Sequence, residues 1–249
     1  ANGQLGHEMR NALKGNNRFE CIFTDVAELD ICNAEAVKQI IADNHIDYIV
    51  NCAAYTQVDK AEDNAELCKK INTDAVENLA RAAATYGARM IHISTDYVFN
   101  GRGYRPYTED VVPDPQSVYG STKLEGEKIL TDICPESITA WLYSPYGNNF
   151  VKTMLHLGEE REELSVVADQ IGTPTCAADL AQAILVILQA DTFVPGTYHF
   201  SDEGACSWYD FTVTIHRLAG ITTCRVTPIR SDEYPSKAHR PFYLSLIHI

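Results

Sequence analysis

The chain has 249 residues, enough to bury the core of one large α/β domain, or of a dinucleotide-sized domain carrying a smaller lobe. Its 34 acidic residues outnumber 20 basic ones, and a net charge of -14 argues against nucleic acid or an anionic membrane surface as partner. No stretch reaches the roughly 18 uncharged apolar residues of a spanning helix and no signal segment is legible, so no membrane partner and a cytoplasmic location are expected; eight cysteines without a C-x-x-C pair read as reduced thiols, with no metal site assigned.

The chain opens Ala1-Asn2-Gly3-Gln4-Leu5-Gly6-His7-Glu8-Met9, with Leu5, Met9 and Leu13 on one helical face. Gly3 and Gly6 have the spacing of the last two glycines of G-x-x-G-x-x-G, a turn that lets bare backbone approach a pyrophosphate at a helix N-terminus. A plain turn before a surface helix reads the same way. Residues 19–24 then read as a strand, and Asp25 follows Gly6 by 19 residues, close to the spacing at which a carboxylate meets the adenosine ribose. Asp30-Ile31 falls where the adenine edge would lie, although a solvated acidic loop explains both aspartates equally well. Further strands are expected at 46–51, 90–94 and 138–143. Between them Asn72-Thr73-Asp74 reads as a helix cap, and Val76, Leu79, Ala80 and Ala83 recur at helical spacing until Gly87 stops the helix. This alternation predicts an α/β fold, a Rossmann-type doubly wound parallel sheet with ligands at the carboxyl ends of its strands. After residue 144 the rhythm loosens around Pro145, Pro174, Pro195, Pro228 and Pro235. Residues 1–144 are therefore expected to form the dinucleotide-binding domain, to which some later segments return, and 145–243 mainly a substrate lobe.

The strand at 90–94 stops abruptly in Ser94-Thr95-Asp96-Tyr97. Downstream, Tyr119 and Lys123 stand four apart in a helical stretch that Cys134-Pro135 ends, so both side chains leave one face. An ammonium beside a phenol favours the phenolate and lowers its pKa, which would improve proton exchange with a sugar carbonyl. If the strand end lies beside them, Thr95 completes a triad by donating to the same substrate oxygen. The plainer readings are a capped strand and an exposed Tyr-Lys pair; three pieces in this order favour a dehydrogenase.

The combination resembles the extended short-chain dehydrogenase/reductases, and within them the dTDP-4-dehydrorhamnose reductase family, over residues 1–243. The likeness rests on Gly3-Gln4-Leu5-Gly6, the run 51–62 beginning Asn51-Cys52-Ala53-Ala54, Ser94-Thr95-Asp96-Tyr97-Val98-Phe99, Tyr119-Gly120-Ser121-Thr122-Lys123, Trp141-Leu142-Tyr143, the runs 148–154 and 169–175, and Arg240-Pro241. It implies reduction of the C4 ketone of dTDP-4-dehydro-6-deoxy-L-mannose to dTDP-L-rhamnose with NADPH or NADH. By likeness Gly3, Gln4, Leu5, Gly6, Asp25, Asp30, Ile31, Ala54, Tyr55, Thr56, Tyr119 and Lys123 contact the dinucleotide. Thr95, Asp96 and Trp141 touch the dTDP-sugar, and Thr95, Tyr119 and Lys123 are catalytic. Asp25 leans toward an unphosphorylated ribose by charge repulsion. Some relatives hold Mg²⁺ at a subunit contact, of which Glu8 matches one carboxylate without a complete set being traceable; a homodimer is left open. Three departures stand out. The family's first strand and first turn glycine would precede Ala1, Ile138 stands where an Arg is expected, and residues 244–249 read as a non-native tail replacing the final helix. The chain as written is therefore expected to be truncated and to bind cofactor poorly. The rivals are a non-catalytic regulatory subunit similar to that of methionine adenosyltransferase, and a nucleotide-sugar epimerase or dehydratase built on the same triad.

Overall fold

The computed structural model describes residues 1–140 and 149–246, with backbone alone at 139 and 140. Helices α1 (Gln4–Ala12) and α2 (Ala34–Asp43) precede strand β1 (Tyr48–Asn51). Then α3 (Val58–Asp63), α4 (Ala65–Lys69), a π turn (Lys70–Asp74) and α5 (Ala75–Tyr86) lead to β2 (Arg89–Ile93). A 3-10 turn (Asp96–Val98) and α6 (Val118–Ile133) lead to β3 (Ser137–Ala140), followed by α7 (Phe150–Glu160), β4 (Glu163–Val167), β5 (Ile171–Gly172) and α8 (Ala177–Gln189). The described chain closes with β6 (Gly196–Thr197), β7 (Cys206–Ser207), α9 (Trp208–Ala219), β8 (Arg225–Ile229) and β9 (Tyr243–Leu244).

Strands β1, β2, β3 and β6 form a parallel sheet in that order. Alternation along β2 explains how the sheet is covered, since successive side chains leave opposite faces. Ile91 joins Leu5 and Met9 of α1 and Leu180 and Ile184 of α8 on one face. Met90 joins Val37 of α2, Val76 and Leu79 of α5 and Leu130 of α6 on the other. Met90 and Ile91 are wholly buried, each worth about 1.5–3 kcal/mol by transfer from water. Segments far along the chain thus complete the first sheet: α8 covers it and β6 extends it. The remaining elements gather around β4 and β8, which pair in parallel and pack with α7 and α9 through Met154, Leu164, Val166 and Ile215.

Two local expectations fail. Residues 19–24 form no strand; Phe19 and Phe23 pack against the α1 and α8 cluster, but a strand needs a hydrogen-bonded neighbour, and among the described residues β1 pairs with β2 alone. Asn72-Thr73-Asp74 is not a cap either: the chain runs helically through it from α4 into α5. Asn72 instead turns inward and bonds the Tyr55 backbone twice, accepting from its N–H at 2.8 Å and donating to its carbonyl at 3.1 Å. Gly87 does stop α5, at φ 74°, where a side chain would be strained.

Residues 243–246 are seated in the fold. Tyr243 and Leu244 pair with β5, Tyr107 N–H donates to the Ser245 carbonyl at 2.9 Å, and Leu244 and Leu246 are buried beside Val98, Phe99 and Tyr107. Apolar spacing suffices to place them.

Candidate active site

Helix α6 carries Tyr119 and Lys123 to the end of β2. Ser117 caps it, accepting from the Gly120 N–H at 3.1 Å, and the helix crosses the 3-10 turn so closely that a Cβ on Gly120 would stand 2.2 Å from the Tyr97 carbonyl oxygen. Only glycine permits that approach. Tyr119 is consequently pressed edge-on to Tyr97, ring centroids 5.6 Å apart, among Tyr55, Ala61 and Cys68. Thr95 accepts from the Tyr97 N–H at 3.2 Å and donates to Asp96 Oδ1 at 3.2 Å, and it stands near enough to the Tyr119 phenol to favour the phenolate. The strand cap and the triad member are one residue.

Electrostatics here depart from the expected acidified phenol. Burial pushes the Tyr119 pKa well up, Thr95 only partly offsets it, and Asp96, Tyr97 and Cys68 add to it. The ammonium does not act on the phenol because Lys123 turns the other way, into the sheet, donating to the Ile93 carbonyl and meeting His92 Nε2 at 3.3 Å. Lys123 is 1% exposed, and burial brings it down to about 8. Burial likewise raises Asp96 to about 6 and Glu127 to about 7, the latter against a hydrogen bond from Ser94. His92, Glu127 and Asn51 were not singled out from the sequence. A histidine inside an apolar strand, and a glutamate four residues after the lysine on the same helix face, were the signals available.

Leu5, in the glycine turn, is buried in the cluster against which Ile93, the residue before Ser94, also packs. Gly3 caps α1 without a side-chain bond and with open space where a Cβ would be, whereas a Cβ on Gly6 would fall 2.6 Å from the Ala1 carbonyl. Buried Gln4 Oε1 has no hydrogen-bond partner. Asp25 lies beside the turn and accepts from the Asn2 N–H at 2.7 Å; that bond, first, and the Ala1 amine hold its carboxyl below the usual range. Asp30 accepts from the Cys32 N–H at 2.9 Å, and Ile31, part-buried against the α2 and α5 cluster, accepts from Asn78 at 3.1 Å. Ala54 and Tyr55 are part-buried after β1 and Thr56 is exposed. Buried Glu8 accepts from Asn11 at 3.2 Å, and among the described residues no group of three His, Cys, Asp or Glu could hold a metal ion. Trp141 lies outside the described residues.

A clasp formed by residues 236–241 lies against Asp59 and Tyr97. Arg240 bonds Asp59 of α3 and reaches the Tyr97 hydroxyl at 3.5 Å, while Ser236 Oγ and the Ala238 N–H donate to Asp59 at 2.7 and 3.1 Å. Pro241 covers Gly101, whose φ of 70° and lack of Cβ admit it.

A parallel sheet covered by helices on both faces, a first helix led by Gly3, and Tyr119 held against the turn that follows β2 are features of an extended short-chain dehydrogenase/reductase. Comparison carries this further: the RmlD substrate binding domain matches residues 1–248, and the chain belongs to that family. It is 41% identical to a dTDP-4-dehydrorhamnose reductase of Aggregatibacter actinomycetemcomitans, covering 97% of this chain and 86% of the relative. A crystal structure of a dTDP-4-dehydrorhamnose reductase from Clostridium acetobutylicum superposes with a TM-score of 0.94 at 46% identity, covering 99% and 87% of the two chains. The Bacillus anthracis enzyme in complex with NADP gives 0.95 at 40% identity, covering 100% and 88%. No helix among the described residues is long and apolar enough to cross a membrane.

Proposed function

We propose that the chain reduces the C4 ketone of dTDP-4-dehydrorhamnose to dTDP-L-rhamnose, using NADPH or NADH. The observation that carries this is the placement of Thr95 beside Tyr119 past the end of β2, with Lys123 one helical turn on, in a chain whose relatives bear that activity in their names. The turn residues fit a dinucleotide: first-turn N–H groups of α1 without a side-chain cap, open space at Gly3 and the orphaned Gln4 oxygen suit a pyrophosphate and its sugar. Asp25, Asp30, Ile31 and the stretch 54–56 would line its adenosine and nicotinamide ends. When bound, the reduced nicotinamide supplies the hydride.

The chain's own residues handle the proton. Burial keeps Tyr119 protonated, the form a reduction needs, and the alkoxide that develops on the substrate oxygen as hydride reaches its carbon is a far stronger base than phenolate, so the transfer runs from Tyr119 Oη to that oxygen. Thr95 Oγ, beside the phenol, orients that oxygen, and Lys123, one helical turn away, holds the ribose. Asp96 and Trp141 would contact the dTDP-sugar. The free cysteines fit a reducing cytoplasm, the compartment this reading implies. The test is net NADPH oxidation driven by the dTDP-ketosugar, with Tyr119→Phe alongside. We expect turnover to fall at least about a hundredfold in the variant. Net consumption of cofactor separates a reductase from an epimerase or dehydratase that returns its hydride, and absence of turnover would favour a regulatory subunit.

A further inference from the structure

The polar groups beneath Lys123 run in one direction. Asn51 and His92 are register partners on β1 and β2, and their side chains meet on the sheet face that α6 covers. The Ala53 N–H donates to Asn51 Oδ1 at 3.1 Å, which fixes the carboxamide and turns its Nδ2 toward His92 Nδ1 at 3.0 Å. An amide nitrogen only donates. His92 Nδ1 therefore accepts, and the single proton of the neutral ring sits on Nε2. That Nε2–H faces Lys123 Nζ at 3.3 Å. An ammonium has donors and no lone pair, so this contact is satisfied when Lys123 is a neutral amine, accepting from His92 and donating to the Ile93 carbonyl. A doubly protonated ring would set donor against donor at Nδ1, where Asn51 Nδ2 also donates.

We propose that Asn51 and His92 form a tautomer-fixed seat that accepts Lys123 only as an uncharged amine, so that engagement of Lys123 by an acceptor outside the seat is coupled to uptake of one proton. His92 is thus a positioning residue: it sets where Nζ sits by setting what charge it carries. The step moves one proton from solvent to the Nζ lone pair, and nothing is oxidised or reduced. The other ionisable groups that act on Nζ are Glu127 one turn on along α6 and Cys68 from α4. Glu127 and Cys68 favour the cation, so the neutral form comes from the seat and from burial, which also carries His92 well below its ordinary value. The inference rests on Lys123 as the group that serves the bound dinucleotide.

Calorimetry of NADPH binding to the full-length protein, in buffers of different ionisation enthalpy at about pH 8.5, reads the coupling, because phosphates with a second pKa near 6 are then fully ionised. The wild type should take up between about one half and one proton per site. Asn51→Asp keeps the shape and the Ala53 contact but accepts from Nδ1–H, which moves the ring proton and leaves Nε2 bare toward an ammonium; its uptake should fall close to zero. Equal uptake in both proteins, or none in the wild type, overturns the proposal. Independently of any variant, ¹⁵N spectra of the ligand-free wild type should show His92 protonated at Nε2 and bare at Nδ1, and the opposite tautomer would overturn it. Absence of any NADPH heat would count against the dinucleotide reading, while the tautomer still decides the seat.

Discussion

Replacing Glu127 by Gln should change the way stability depends on pH, with a sign the structure dictates. The carboxyl sits part-buried beside Ser94, and burial, partly offset by the Ser94 hydrogen bond and the nearby Lys123, raises it from 4.5 to about 7. A carboxyl raised by folding is favoured in its protonated form, so its contribution to stability is complete below about 4.5 and is lost as pH climbs through about 7. At about 1.4 kcal/mol per tenfold, that gap caps the loss near 3 kcal/mol, and solvent reaching the part-exposed group reduces it to about 1–2 kcal/mol. Gln keeps an acceptor for Ser94 and does not ionise. Urea denaturation of the two proteins between about pH 5 and 8 should therefore show near-equal midpoints in acid and a variant more stable by about 1–2 kcal/mol at pH 8. A difference that stays constant across this range, or that favours the wild type at pH 8, would refute the buried-carboxyl account.

Gly120→Ala would push α6 off the Tyr97 carbonyl, costing about 1–3 kcal/mol in a thermal melt and at least about tenfold in turnover as Tyr119 moves; full activity in a folded variant would contradict the close approach. Thr95→Val should lower turnover by about tenfold or more in steady-state assays, since an orienting donor is lost while the phenol stays protonated. Asp59→Asn should cost about 1–3 kcal/mol at neutral pH by loosening Ser236, Ala238 and Arg240. Burial opposes ionisation of Asp59, but those three bonds outweigh it and hold its pKa down, so the penalty should vanish as pH falls through the carboxylate range; a penalty independent of pH, by denaturant midpoint, would refute this.

The sheet, its covering helices and the meeting of Thr95 with Tyr119 were legible because they depend on spacing, which a sequence carries openly. The direction in which Lys123 points was not. Helical periodicity put its Cβ on the same face as Tyr119, but the long side chain is placed by a carbonyl and an imidazole on β2, residues whose positions follow from parallel register. The strand expected at 19–24 illustrates another limit: composition reports a wish to be buried, whereas a ladder requires a partner that local sequence does not name. Asn72 misled for a related reason, since a residue type good at capping is equally good at bracing a loop from within.

The Arg240 clasp on Asp59 joins residues 181 positions apart. Because translation proceeds from the amino end, Asp59 and Tyr97 leave the ribosome long before the segment that holds them, and a nascent chain must carry an unfastened cleft until Arg240 has been made. Bracing of Asp59 and of Tyr97, the ring against which Tyr119 packs, is thereby deferred until residues 236–240 have emerged.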